Sequence, residues 1–98
     1  MRIVLLDEAQ RQFELEDAWW RAHRDAQDLF LDEFEQALAH LSASPESGQH
    51  YRHHRGRSLR RWLMPKTRCH IYYVHDTGRD VLEVHSVWGA RRGRGPAL

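Results

Sequence analysis

The chain holds one cysteine, Cys69, so no intrachain disulfide can form and the fold has to rest on packing and hydrogen bonds. Cys69 lies in an alternating apolar run, where it reads as a small buried hydrophobe and fits a reducing, cytoplasmic setting. No apolar run is long enough to span a membrane. The opening MRIVLLDEAQ has only four consecutive apolar residues before Asp7, fewer than the core of a secretory signal needs. Length is short as well: 98 residues make one domain with a modest two-layer core and leave no room for a second. Metal-ligand spacing is missing despite eight histidines, since there is no HExxH and no helical histidine pair four residues apart. Neither a metal nor another cofactor is expected. The late GARRGRGP lacks both the Lys-Ser/Thr ending and the following helix of a phosphate-binding loop.

What is present is divided by charge. The formal net charge of +1 conceals residues 1–46, with four arginines against eleven acids, and residues 47–98, with eleven basic residues against three acids. An acidic first half and a basic second half suggest one surface that meets a polyanion or an acidic partner and another that does not. The plainer reading is that the two halves neutralise each other within the fold.

The most ordered pattern runs from residue 59 to 92, LRRWLMPKTRCHIYYVHDTGRDVLEVHSVWGARR. Residues 69–75 and 80–88 are rich in β-branched and aromatic side chains and contain neither Pro nor Gly, so they are expected as strands joined at Asp76-Thr77-Gly78-Arg79. An even loop length predicts Tyr73 opposite Leu82, Ile71 opposite Val84 and Cys69 opposite Ser86 on one apolar face. The other face then carries Val74 with Val81, Tyr72 with Glu83, and His70 with His85. Residues 59–64 supply a further strand, with Trp62 and Met64 on one side and Arg61 and Leu63 on the other.

Ahead of this sheet lie its cover and its connections. Residues 2–6 are expected as a first strand of the same sheet. Asp7 then stands as a helix N-cap with Gln10 in capping-box position. The helix it opens carries Ala9, Phe13 and Trp20 along one line and Leu15, Trp19 and Ala22 along another. The pattern falters at residues 23–25. A second helix follows with Ala26, Phe30, Phe34, Ala37, Leu38 and Leu41 at core spacing, while Asp28, Asp32, Glu33 and Glu35 are expected on its solvated side. SASPESG ends it. Residues 50–57 are basic and aromatic without strand alternation, consistent with either a ragged edge strand or a loop, and residues 89–98 are expected as a flexible basic tail.

On the polar sheet face Arg61 would stand with His70, Tyr72 and His85. That sets a fixed cation, two groups that exchange protons near neutrality and a stacking ring over one surface, roughly the parts needed to cleave RNA through its 2′-hydroxyl. The alternative is a solvated face on which His70 pairs with Glu83.

The order of a first strand, an acidic helical hairpin ending in LSASPESG, an RRW strand, a CHIYYV strand and a closing SVWGARR resembles the RelE/ParE superfamily of bacterial type II toxins over nearly the whole chain. The resemblance implies an α+β fold: an N-terminal strand and a two-helix hairpin packed on one face of an antiparallel sheet of four to five strands. It also implies a toxin of a plasmid-stabilising toxin-antitoxin pair, silenced in a hetero-oligomer by its antitoxin, with no membrane partner. Against the RelE-like nucleases that cut mRNA on the ribosome, Arg61 falls on a catalytic Lys, Leu63 replaces a second Lys, His70 replaces an Arg, Arg91 or Arg92 lies near the late Arg, and no Tyr follows Tyr73. Such a nuclease would work with Arg61, His70 and Arg91. The ParE-like members, which inhibit DNA gyrase without catalysis, tolerate these departures and are the favoured expectation. Trp88, Arg91 and Arg92 would then supply much of the target contact, with Arg61, Tyr72 and His85 beside them. A third reading is a non-toxic, partner-binding scaffold.

Overall fold

The computed structural model describes residues 1–98, apart from the side chain of Arg91. In chain order come β1 (Arg2–Leu5), α1 (Asp7–His23), α2 (Leu29–Ala43), a 3-10 turn at Pro45–Ser47, β2 (Gln49–His54), β3 (Arg57–Met64), β4 (Cys69–Asp76), β5 (Val81–Gly89) and a 3-10 turn at Ala90–Arg92. The strands form one sheet in the order β1-β5-β4-β3-β2. The last four make an antiparallel meander, and β1 joins the far edge parallel to β5. This is the α+β layout expected. The helical hairpin carries the chain from one edge of the sheet to the other and covers a single face. Among the described residues, no helix is long and apolar enough to cross a membrane.

Strand and helix join without a spare residue between β1 and α1. The Leu6 N–H donates to the Val84 carbonyl, completing the strand pairing, and the Leu6 carbonyl accepts from Gln10 N–H, starting the helix. Leu6 is therefore the N-cap, and Asp7, expected there, is the first helical residue, with no side-chain cap. Asp7 and Glu8 still favour this end of the helix through its dipole. The inward line of α1 is Ala9, Gln12, Glu16 and Trp20, with Phe13 against Phe30 and Phe34 at 5.5 and 4.8 Å between ring centres. Leu15, expected on an apolar line, is 58% exposed. At 100° per residue it lies well away from the azimuth set by Ala9, Phe13 and Trp20.

In α2, Phe30, Phe34, Ala37 and Leu41 are buried as the spacing predicts, whereas Ala26 precedes the helix and is exposed. Glu33 departs from expectation. It is 8% exposed and accepts from Lys66 N–H at 2.8 Å, Thr67 N–H at 2.9 Å and Thr67 Oγ1–H at 2.7 Å. It clamps the β3–β4 turn, in which Arg68 holds φ 63°.

The register of β4 on β5 differs from the one expected. Tyr73 faces Val84, Ile71 faces Val87 and Cys69 faces Gly89; on the other side Val74 faces Glu83, Tyr72 faces Ser86 and His70 faces Trp88. Two causes combine. The hairpin turns over residues 77–80, with Asp76 Oδ1 accepting from Arg79 N–H and Asp80 at φ 51°, so pairing starts at Asp76 and Val81. His85 then forms a bulge that shifts the strand by one, which brings Val87 to the helical side in place of Ser86. The amide Oε1 of Gln12 accepts from Ser86 Oγ–H at 2.8 Å and Val87 N–H at 2.9 Å, fastening the bulge to α1.

Residues 49–54 do form a strand, β2, bulged near Tyr51 and ending in a tight turn in which Arg55 and Gly56 hold φ 52° and 79°. Left-handed backbone at both positions is what a two-residue hairpin loop requires. Ahead of β2, the Tyr73 hydroxyl donates to the Pro45 carbonyl at 2.7 Å and accepts from Gly48 N–H at 2.8 Å. Only glycine fits at 48, because a Cβ there would overlap the tyrosine ring.

Candidate functional site

With the hairpin packed over Met64, Cys69, Ile71, Tyr73, Leu82 and Val84, the other sheet face carries no helix. Its floor is the small cluster of Leu59, Tyr72 and Val74, with Trp88 packed against it. The odd positions of β3 bring Arg61 to this face and the even positions of β4 bring His70 and Tyr72. The bulge in β5 brings Trp88, which the expected register would set on the helical side, to this face opposite His70.

These side chains meet. Arg61, His70, Tyr72 and Trp88 line a cavity of about 270 Å³ together with Tyr51 and Arg94. The Arg61 guanidinium lies 5.3 Å from the centre of the Tyr51 ring, whose edge meets Tyr72 at 5.0 Å, and His70 is 5.9 Å from Tyr72. After the turn at Ala90–Arg92 the chain bends at Gly93, φ 76°, and closes the cavity's rim. The Trp88 Nε1–H donates to the Arg94 carbonyl at 2.7 Å, and the Arg92 guanidinium stacks 4.2 Å from a Trp88 ring centre. The Arg91 side chain, expected in this group, lies outside the described residues.

His85 stands apart. It lines a second cavity on the same face with His54, their rings 4.9 Å apart, and its Nε2 is 3.5 Å from Glu83 Oε1. Glu83 thus pairs with His85 and not with His70, because the observed register sets His70 against Trp88. Tyr51 and Arg94 belong to the first cavity but were not singled out from the sequence. The β2 bulge breaks the alternation that would have marked Tyr51, and its aromatic, basic surroundings were the only available signal.

Electrostatically, the first cavity is one-signed: none of the described residues lining it is acidic. The helical arginines pair within the helical layer, Arg21 with Asp17 and Asp28, Arg11 with Glu8, and no described ion pair ties Arg61 to the hairpin. Burial pushes His70 below the ordinary imidazole range, and the charges of Arg61 and Arg68 push the same way. His85 is lowered chiefly by burial, with Glu83 opposing and His54 and Arg55 adding to the shift. The arrangement offers a persistent cation, a neutral imidazole and three rings, which suit an anionic or planar group approaching from solvent.

The shifts have a signed consequence. Both imidazoles take protons more readily in the unfolded chain, where the value is about 6.5. The stability they contribute is complete above that pH and is lost as pH falls through it toward the lowered folded values. Urea midpoints should therefore drop from about pH 7 to about pH 5, and drop less in the His70→Gln/His85→Gln variant. Equal slopes for parent and variant would refute this.

Comparison with protein-family models, with curated proteins and with solved structures finds no match.

Proposed function

We propose that the chain is the toxin of a type II toxin-antitoxin pair, of RelE/ParE type, which acts in the ParE manner by binding DNA gyrase and is silenced by a cognate antitoxin. The observation that carries this reading is the division of the sheet: an acidic helical hairpin covers one face, and the opposite face presents Arg61, three aromatic rings and the basic segment after Trp88. A one-signed surface with aromatic anchors is suited to seizing a macromolecule. Binding is favoured over cleavage by the separation of the two histidines. His70 and His85 line different cavities, and His85 lies three positions along β5 from the partner of His70, about 10 Å at the rise of a strand. They are not placed to serve as acid and base on one phosphodiester. Leu63 in place of a cation weakens the nuclease set further. A cytoplasmic location goes with this target and with the buried thiol of Cys69, which forms no disulfide.

One observation favours the RelE-like alternative, which is that Arg61 shares its cavity with a neutral His70. Purified chain added to gyrase supercoiling and to in vitro translation decides between them. Inhibited supercoiling with intact mRNA is expected; cut mRNA would replace this reading with the nuclease, and indifference of both reactions would replace it with the scaffold.

A further inference from the structure

The second cavity on the open face, about 510 Å³, is larger than the first and differently built. It lies at the end of the sheet where the β2–β3 and β4–β5 turns converge. His54 comes from the end of β2, Arg55 from the turn after it, Arg57 from the start of β3, Arg79 from the second turn, and Glu83 and His85 from β5. Val74 and Leu6 give it an apolar floor and wall.

We infer that this cavity binds a phosphomonoester of mononucleotide size, independently of the surface proposed for the target. The volume is in the range of small-ligand sites, and three guanidinia with two imidazoles around a short apolar floor match a phosphate joined to a planar group. The two carboxylates present are already occupied. Asp76 Oδ1 accepts from Arg57 Nη2 at 3.1 Å and from Arg79 N–H, and Glu83 lies 3.8 Å from Arg79 Nη1 and 3.5 Å from His85 Nε2. Three arginines against two acids leave one positive charge, and among the described residues Arg55 makes no ion pair. Protonation of His85 raises the local charge toward that needed for a phosphate dianion. The burial that disfavours the charged form of His85 would be offset by the ligand's own charge.

The test is calorimetry on the full chain with three probes, adenosine monophosphate, inorganic phosphate and adenosine. Both phosphate-bearing probes should bind saturably, the nucleotide more tightly, and adenosine should not bind. Affinity for the nucleotide should rise as pH is lowered from about 8 to about 6.5, with net proton uptake. Arg55→Asn with Arg79→Gln should weaken it about tenfold, whereas Arg94→Gln at the first cavity should not; asparagine is chosen because it tolerates the left-handed backbone. Independently of any variant, the imidazole resonances of His85 should titrate at higher pH with the nucleotide present. Adenosine binding as tightly as the nucleotide, the absence of saturable binding, or indifference to the paired substitution would overturn the assignment.

Discussion

Glu33→Leu should lower the stability of the protein on the order of 3 kcal/mol, the largest effect expected from any single substitution in the helical layer. The carboxylate accepts three hydrogen bonds, two from successive backbone N–H groups and one from the Thr67 hydroxyl. Leucine fills the space and fits the stripe but leaves those donors buried beside hydrocarbon. Each lost donor pairing of this kind costs roughly 1–3 kcal/mol, with hydrogen bonds to a charged group in the upper part of that range. Added apolar burial offsets part of the loss. A small domain has only about 5–15 kcal/mol in total, so the variant should unfold at a markedly lower urea concentration. Glu33→Gln keeps an acceptor and should fall between the two. A leucine variant within about 1 kcal/mol of the parent would show that the β3–β4 turn holds its shape without the clamp.

The second large effect concerns the target. On the proposed gyrase reading, removing residues 90–98 should abolish gyrase inhibition and the growth arrest that would follow from it, while His70→Ala should leave both within about twofold of the parent. The segment supplies Arg92, stacked on Trp88, and Arg94, whose carbonyl holds the indole N–H. Its loss removes cations from the open face and unfastens the aromatic anchor together. Arg and Trp contacts at the centre of an interface are commonly worth about 2 kcal/mol or more each, so losing several weakens binding over a hundredfold. Trp88→Ala with the segment intact should give an intermediate loss. His70, held neutral at the cavity wall, contributes little to such binding. Retained activity after truncation together with loss in His70→Ala would mean that the sheet face performs chemistry, and the proposed gyrase reading would give way.

Much of the fold was legible because its signals are periodic. Phe30, Phe34, Ala37 and Leu41 repeat at helical spacing, and Trp62 and Met64 alternate with Arg61 and Leu63, so both faces of the sheet could be assigned before pairing was known. The same spacing in fact placed Glu33 on the inward stripe, three after Phe30 and four before Ala37. Its chemistry argued for solvent, and only the position of a distant turn with unpaired N–H groups explains why a carboxylate belongs inside. The hairpin register was misread by two residues because the turn lies at residues 77–80, and by one more beyond His85 because alternation has no memory of bulges. His85 adds a residue without disturbing the apolar count, and the compensating group, Gln12, lies on a different element.

The candidate site was legible in part for the same reason. Arg61, His70 and Tyr72 were grouped correctly on parity alone, whereas Trp88 was expected near the target only from the resemblance, and it is the bulge at His85 that turns it to the face on which His70 lies. His85 was placed with them by the unbulged register and is separated from them by the real one. Tyr51 and Arg94 reach the cavity through an irregular strand and a reversal at Gly93, features whose periodicity is weak by nature.

The pairing of β1 with β5 ties the order of synthesis to the order of assembly. Residues 2–5, made ahead of both helices and the other four strands, cannot find their hydrogen-bonding neighbour until β5 has left the ribosome, and the helical hairpin has to wait with them for the sheet it covers. A nascent chain therefore carries the whole acidic layer long before its basic surface exists in working form. For a protein proposed to harm its host, translation itself imposes a delay between the making of the acidic layer and the first competent molecule.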